Sequence, residues 1–200
     1  MHRSIPNRII SNRLVIRCYS PKDVILLHDA IKQSLDHLKK WMPWAQTEPT
    51  SLATKKKLLE KFEYEFLQDL DYNFGIFNRK EDVLIGSSGL HTRVGPNSRE
   101  IGYWINSKYV NQGYATESTK ALIKVGFEHQ EITNIRIHCD PKNLASRQIP
   151  NKLGFELVEI LKDTTRGPDG KPRDTMIWNL TRNRYYEMSQ NYPEIKVSRL

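Results

Sequence analysis

Residues 100–117 restrict the fold of this chain more than any other segment, because a strand pattern, a turn with one glycine and a helix pattern follow one another directly there. The strand pattern covers residues 100–106, Gly113 lies in the turn, and the helix pattern begins at about Ala115. A helix that starts beside a strand end leaves its first backbone amides without carbonyl partners, at the positive end of the helix dipole. Such a helix start binds anions. The segment therefore predicts an α/β fold in which residues 112–116 form either a phosphate site or an ordinary helix start.

Two common phosphate-binding motifs are excluded at this turn. The P-loop requires Lys followed by Ser or Thr after its second glycine, whereas Gly113 is followed by Tyr114 and Ala115. A dinucleotide-binding loop requires three glycines, and this turn has only one. Gly113 has no Cβ and lets a phosphate approach the backbone, while Thr116 offers a hydroxyl. A phosphate bound here is expected to be held mainly by backbone amides.

Strand and helix patterns alternate along the rest of the chain in the order β-α-α-β-β-β-α-β-α-β-β. Apolar residues at intervals of three and four mark the helices, and short turns between neighbouring strands favour antiparallel pairing. The predicted strands cover residues 13–19, 72–77, 83–91, 100–106, 134–140, 155–161 and 175–180, and the predicted helices cover about 24–38, 51–70, 115–129 and 144–153. The prediction is one mixed α/β domain with about seven strands and about four helices.

The chain is divided here into one domain with two short end segments. The domain is predicted over residues 12–182, and no repeat, linker or low-complexity segment interrupts it. Residues 1–11 form an N-terminal extension. Residues 183–200 form a C-terminal tail that has little apolar periodicity and is expected to be loosely held or to depend on a partner.

The net charge of +8 favours an anionic partner, but its distribution argues against specific nucleic-acid binding. Lysines and arginines are scattered, and the sequence has no helix-turn-helix, zinc-finger or aromatic RNA-binding pattern. A phosphate-rich small molecule uses the same charge. The three lysines at 55–57 are expected to face water, with an acidic partner as the alternative.

Other features of the sequence favour a cytoplasmic protein without a membrane partner. No apolar run approaches the roughly 20 residues of a membrane helix, and no signal-peptide pattern follows the first methionine. Cys18 and Cys139 lie in strand patterns and are expected to be free thiols. The six histidines form no close ligand pair with cysteine or carboxylate at a recognisable spacing, so no metal is expected.

Four motifs along the chain resemble the GNAT family of N-acetyltransferases. Residues 110–115, VNQGYA, are similar to that family's pyrophosphate loop, Gln/Arg-x-x-Gly-x-Gly/Ala, although Val110 stands at its first position. Because the loop holds the ligand mostly through its backbone, binding is expected to survive that difference. Residues 143–147 and 152–155 resemble segments of the RimJ/RimL branch, which acetylates ribosomal-protein N-termini. Its substrate-side loop resembles residues 38–44, and the likeness covers about residues 12–182.

The resemblance implies acetyl-CoA as the second substrate, bound between splayed strands of a strongly twisted mixed sheet. The pantetheine arm then pairs with a strand edge, and a backbone N–H near Trp104 or Ile105 polarises the thioester carbonyl; plain core packing is the alternative for Trp104. Asn143 either caps its helix alone or also binds a pantetheine amide. The residues assigned to the pyrophosphate loop are Gln112, Gly113, Tyr114, Ala115 and Thr116.

The family mechanism is a direct attack of an amine on the thioester. By resemblance, Ser146 donates a hydrogen bond or a proton to the coenzyme A thiolate; the alternative is a water-exposed residue at a helix start. The base that takes the ammonium proton is left open. Glu100 is one candidate if partial burial raises its pKa, His138 is another, and ordered waters are the third.

The acceptor is expected to be a primary amine, first of all a protein α-amino group such as that of a ribosomal subunit. Trp41, Trp44 and Tyr72 either line the acceptor cleft or cover the core. A polyamine, an amino acid or an aminoglycoside is the alternative acceptor. A binding module that holds acetyl-CoA or RNA without turnover is the alternative from another class, and a monomer and a homodimer both remain open.

Overall fold

The computed structural model describes residues 5–192 and 194–198. Its strands are β1 Arg8–Ile10, β2 Leu14–Cys18, β3 Tyr72–Asn78, β4 Leu84–His91, β5 Ser98–Ile105, β6 Asn134–Cys139, β7 Glu156–Arg166, β8 Pro172–Thr181 and β9 Lys196–Ser198. Its α-helices are α1 Val24–Trp41, α2 Leu52–Leu67, α3 Tyr114–His129, α4 Leu144–Lys152 and α5 Arg182–Met188. The nine described strands form one sheet in the order β7-β8-β6-β5-β4-β3-β2-β1-β9. The fold is mixed α/β, as predicted.

Two hydrophobic cores hold the helices against the sheet. The larger contains Ala121, Leu122 and Val125 of α3, all fully buried. The smaller contains Leu27 and Leu38 of α1. These apolar residues recur at helical spacing on one side of each helix, which is why the two helices form and which face each buries.

The pairing of β5 with β6 is the only parallel pairing among the described strands, and it is short. It joins Ser98 to Asn134 and ends at Glu100 opposite Arg136. Beyond that point β5 continues to Ile105 paired with β4, and β6 continues paired with β8. The two strands therefore splay apart, and the free edges of both line a gap in the middle of the sheet.

All seven predicted strands and all four predicted helices are present, with three further elements at the chain ends. β1 pairs with both β2 and β9, so the first and last described strands lie side by side. Ile9 and Tyr185 are fully buried, and Tyr192 is nearly so. The expectation of a loosely held tail is not met over residues 183–192, because Tyr185 of α5 and Tyr192 after it pack into the larger core.

The lysines at 55–57 do not behave alike. Lys56 and Lys57 are exposed, as predicted, but the prediction is wrong for Lys55, which is 1% exposed. Its Nζ lies 2.5 Å from Glu48 Oε2 and 2.7 Å from Thr50 Oγ1. Because those two residues precede α2, the buried ion pair fastens the incoming loop to the helix.

Two further predictions concern the cysteines and the membrane. Cys18 and Cys139 are free thiols, as predicted. Within the described ranges, no helix has both the length and the apolar character that a bilayer crossing requires.

Candidate active site

The predicted anion site lies at the start of α3, beside the splayed end of β5. Gly113 precedes the helix with φ of 80°, a left-handed conformation that favours glycine. The first helical hydrogen bond runs from the Glu117 amide to the Gly113 carbonyl at 3.0 Å. The amides of residues 114–116 therefore precede the hydrogen-bond ladder of the helix and point out of its positive end.

Arg13 adds a positive charge to this helix start. Its Nη1 donates to the Gln112 carbonyl at 3.0 Å, and its Nε pairs with Glu117 at 2.7 Å. Its guanidinium carbon lies 4.4 Å from the centre of the Tyr114 ring. No local pattern indicated this contact, because Arg13 lies on the short turn before β2, far from α3 along the chain.

A hydroxyl cluster bridges the splay from β5 to α4. Asn143 caps α4 by accepting a hydrogen bond from the Ser146 amide at 3.2 Å. The Tyr103 hydroxyl donates to the Ser146 carbonyl at 3.1 Å and lies 3.2 Å from Ser146 Oγ. Burial raises the pKa of Tyr103, so this hydroxyl keeps its proton at neutral pH. Tyr103 was not singled out from the sequence, where it is one of several apolar residues in a strand.

A cavity of about 930 Å³ opens at the splay, between α1, α2 and the sheet. Tyr103 and Ser146 lie on its wall, so the hydroxyl cluster faces the cavity. The predicted residues that line it are Trp41, Trp44, Glu100, Trp104, His138, Asn143 and Ser146. These residues therefore share one space, whereas Ile105 and the predicted pyrophosphate residues 112–116 are not among those that line it.

The aromatic residues predicted for the acceptor cleft separate into two groups. Trp41 and Trp44 line the cavity, and the Trp44 ring lies 6.2 Å from that of Trp104, measured between ring centres. Tyr72 is not among the lining residues: it is 2% exposed, packs on Phe66 in the larger core and donates its hydroxyl to Asp69. Successive side chains of a strand point to opposite faces. The next residue on β3, Asn73, therefore faces the cavity, and Tyr72 does not.

Arg173 of β8 closes one side of the cavity. Its Nη1 donates to the Lys40 carbonyl at 2.7 Å and lies 3.3 Å from Asp140 Oδ2. Its guanidinium carbon lies 5.3 Å from the centre of the Trp41 ring. The β7–β8 hairpin is thereby tied to the end of α1, a contact between distant segments that no sequence pattern indicated.

Glu100 is not the raised-pKa carboxyl that the sequence suggested. It is buried, and burial alone would raise its pKa, but hydrogen bonds and charge from Arg93, together with His138, outweigh burial and lower it. Arg93 binds it with two nitrogens, the Nε at 2.9 Å from Oε2 and the Nη2 to Oε1. The carboxylate is therefore committed to an ion pair and is a weak base.

His138 lies on β6 beside this pair. Its Nδ1 is 3.5 Å from Glu100 Oε2, and burial lowers its pKa despite the nearby carboxylate. The ring is therefore neutral at pH 7. Its Nε2 is enclosed by protein and has no hydrogen-bond partner among the described residues.

A second histidine, His91 at the end of β4, also lines the cavity. Its Nδ1 lies 2.8 Å from Asp71 Oδ2. Asp71 is held in turn by the Thr92 amide at 3.1 Å and by the Asn73 side chain at 3.2 Å. Burial opposes ionisation of Asp71, but the hydrogen bonds from His91 and the backbone lower its pKa. Neither His91 nor Asp71 belongs to a recognisable motif, and sequence reasoning missed both.

Comparison with known proteins assigns the fold and site to a family. The family described as Acetyltransferase (GNAT) domain matches residues 13–156. Among curated relatives, an uncharacterized N-acetyltransferase of Bacillus subtilis, YnaD, is 28% identical over 157 residues, 77% of this chain and 85% of the relative. The [ribosomal protein uS5]-alanine N-acetyltransferase of Escherichia coli is 27% identical over 179 residues, 87% and 90% of the two chains.

A solved structure shares the fold. RimL, a ribosomal L7/L12 alpha-N-protein acetyltransferase in complex with coenzyme A, superposes with a TM-score of 0.79 and 20% identity, covering 90% of this chain and 98% of RimL. The chain belongs to the GNAT family of acetyltransferases. It is an N-acetyltransferase that uses acetyl-CoA, which confirms the class and the cosubstrate that the resemblance implied.

Proposed function

We propose that this enzyme acetylates the α-amino group of a protein N-terminus, of the kind that ribosomal proteins carry. The observation that carries the proposal is the cavity of about 930 Å³, which opens at the splay and is walled by the indoles of Trp41 and Trp44. An extended peptide end needs such a space next to the reacting thioester. The relative that acetylates ribosomal protein uS5 and the likeness to RimL support the same acceptor.

The residues at the splay fit acetyl-CoA. The α3 start offers free amides of residues 114–116, with Arg13 nearby, for the pyrophosphate. The free edge of β5, where Trp104 and Ile105 lie, offers main-chain groups for the pantetheine amides in the manner of an added strand. We assign Gln112, Gly113 and Asn143 to the same binding surface.

Bound acetyl-CoA supplies an activated acetyl thioester, and this chain supplies placement and proton transfer. A main-chain amide at the free edge of β5 polarises the carbonyl. Tyr103 and Ser146 stabilise the departing sulfur, since the Tyr103 hydroxyl is protonated and in contact with Ser146. Trp41 and Trp44 hold the acceptor chain beside them, which converts the attack into a reaction between fixed groups.

The test is acetylation of peptides. Purified enzyme is incubated with acetyl-CoA and N-terminal peptides of ribosomal proteins, and mass spectrometry locates the acetyl group. Acetylation of the α-amine, and none on the same peptide with a blocked N-terminus that retains its lysines, is the expected result. Preferential acetylation of polyamines, amino acids or aminoglycosides would assign the acceptor to small molecules instead. Binding of acetyl-CoA without turnover of any amine would indicate a binding module.

A further inference from the structure

His91 on the cavity wall forms a carboxylate–imidazole pair with Asp71, and the proposed mechanism has not used this pair. Asp71 accepts three hydrogen bonds, from His91, Asn73 and the Thr92 amide. An ionised carboxylate can only accept, so the His91 Nδ1 carries a hydrogen, and the nitrogen that can accept a proton is Nε2. Among the described residues, no hydrogen bond to that Nε2 is found. The pair therefore offers one free, oriented basic nitrogen.

Glycines on two strands give the His91 ring its place on the sheet. Gly89 of β4 is paired with Gly102 of β5, and the ring leans over this pair. A Cβ at position 89 would lie 2.6 Å from His91 Nε2, and one at position 102 would lie 3.6 Å from it. The Nε2 edge of the ring therefore lies over the Gly89–Gly102 pair, and the residue after Gly102, Tyr103, contacts Ser146.

We propose that His91 is the general base of the reaction and that Asp71 is the residue that positions it. The inference rests on the proposed acetylation of an amine and adds the group that accepts its proton. The carboxylate of Asp71 fixes the tautomer and the orientation of the ring. His91 itself touches the acceptor amine through Nε2.

The other two candidate bases are less suited by their contacts. Glu100 is held by two nitrogens of Arg93. The His138 Nε2 is enclosed by protein, so an amine cannot reach it without a rearrangement. His91 retains 15% of its side-chain exposure, lines the cavity and is already oriented. The charged and titratable groups that surround it are Asp71, Arg93, Glu100 and His138.

His91 Nε2 takes one proton from the acceptor ammonium, and the imidazolium releases it to water through the open cavity. The free amine forms a bond to the thioester carbon, the carbon–sulfur bond breaks, and its electron pair stays on sulfur. The nitrogen then loses a second proton, and the sulfur gains one through the Ser146 and Tyr103 hydroxyls. These hydroxyls give one proton to the sulfur and receive one from the nitrogen, so they end unchanged. The products are an amide and the coenzyme A thiol.

The central test compares His91→Gln with the wild type on the same N-terminal peptide. Removal of a general base is expected to lower kcat about 100-fold or more at pH 7, with acetyl-CoA affinity and the melting temperature unchanged. The deficit should shrink as pH rises past about 8, where an α-amine arrives already deprotonated. His37→Gln, an exposed histidine outside the cavity lining, is the matched control and should behave as the wild type.

Asp71 variants test the positioning role independently. Asp71→Ala should lower kcat while leaving acetyl-CoA affinity unchanged, and Asp71→Asn should restore part of the rate, because an amide oxygen accepts the same hydrogen bond. A His91→Gln enzyme within threefold of the wild type, or a deficit that is the same at all pH values, would overturn the role of His91 and leave the proposed function intact. A wild type that acetylates no amine would overturn both.

Discussion

Lys55 shows how one buried charge is used to fasten a loop beside the acceptor cavity. Its ammonium and the Glu48 carboxylate are both nearly inaccessible, with side-chain exposures of 1% and 8%. Burial opposes ionisation of Glu48, but hydrogen bonds from Lys55 and Thr50 outweigh it and lower the pKa of this carboxyl. The pair is satisfied, so removing one partner leaves the other buried and uncompensated.

We therefore expect Lys55→Ala to lower the free energy of unfolding by about 3–5 kcal/mol, whereas Lys56→Ala at the neighbouring exposed position changes it little. Urea unfolding at pH 7 measures both. Since the folded-state pKa of Glu48 is lowered, the pair stabilises the protein above about pH 4.5, and this contribution is lost as pH falls through the folded-state pKa. Equal stabilities of the two variants would contradict the role of the pair.

Tyr103 supports a second prediction at the scale of the residue. Tyr103→Phe removes the hydroxyl that contacts Ser146 and leaves the ring in place. Loss of a proton donor is expected to lower kcat about 100-fold, the low end of the range for acid catalysis, because a thiolate is a good leaving group. Steady-state kinetics measures this, and Tyr64→Phe, on an exposed tyrosine, is the control. A normal kcat in Tyr103→Phe would assign the departing sulfur to another donor.

Individual side chains were predicted from the sequence only where a motif marked them. Asn143 and Ser146 lie in a motif, and both line the cavity. No motif marked His91, Asp71 or Arg13, and their partners are distant in sequence. The sequence around Lys55 does not distinguish it from its exposed neighbours. A sequence pattern indicates which face of a helix or strand is apolar, but it does not indicate which charged side chains pair with each other in the folded protein.

At the scale of the element, the short pairing of β5 with β6 decides where a ligand can bind to the main chain. Past Glu100 the facing edges of the two strands do not pair with each other. The start of α3 presents a further set of amides at residues 114–116. These are main-chain groups that a bound ligand can satisfy.

Hydrogen exchange tests this directly. Acetyl-CoA should slow the exchange of those amides of residues 101–105 that face the gap and of residues 114–116, because each becomes hydrogen-bonded or shielded from water. Mass spectrometry of peptic fragments, with and without acetyl-CoA, measures the change, and residues 14–18 in the fully paired β2 serve as the internal control. Protection confined to other regions would contradict the assigned binding surface.

The accuracy with which helices and strands were predicted increases with their length and with the regularity of their apolar pattern. The helices α1 and α3 have a regular apolar stripe, and their bounds were predicted to within a few residues. β1 and β9 have three residues each, too few for any period to be visible, and they form because each pairs with a neighbour. Their stability comes from the sheet and not from local preference.

At the scale of the whole molecule, β1, α5 and β9 pack with the rest of the described fold. The Tyr185 ring stacks on Phe127 of α3 with 5.0 Å between ring centres, and its hydroxyl donates to Glu128 at 2.8 Å. The predicted domain boundary at residue 182 was placed where apolar periodicity is lost along the sequence. In α5 and the segment after it, isolated tyrosines do the packing, which a periodicity criterion does not detect.

Tyr185→Ala is accordingly expected to destabilise the protein by about 3–5 kcal/mol, as for other large buried aromatic residues. Tyr186→Ala, at the next and largely exposed position, is the matched comparison and should cost much less. Thermal unfolding of the two variants measures the difference. Similar melting temperatures would mean that the C-terminal segment contributes little to the fold.

The splay of β5 from β6 also separates the binding of the two substrates along the chain. The groups that we assign to acetyl-CoA lie almost entirely between Trp104 and Ser146, a continuous piece that runs through α3 and β6. The acceptor side is built mainly from residues before it, such as Trp41, Trp44 and His91, with Arg173 after it. A chimera that keeps the central piece and exchanges the flanking ones would retain its donor and change its acceptor, so selection can diversify one specificity without disturbing the other.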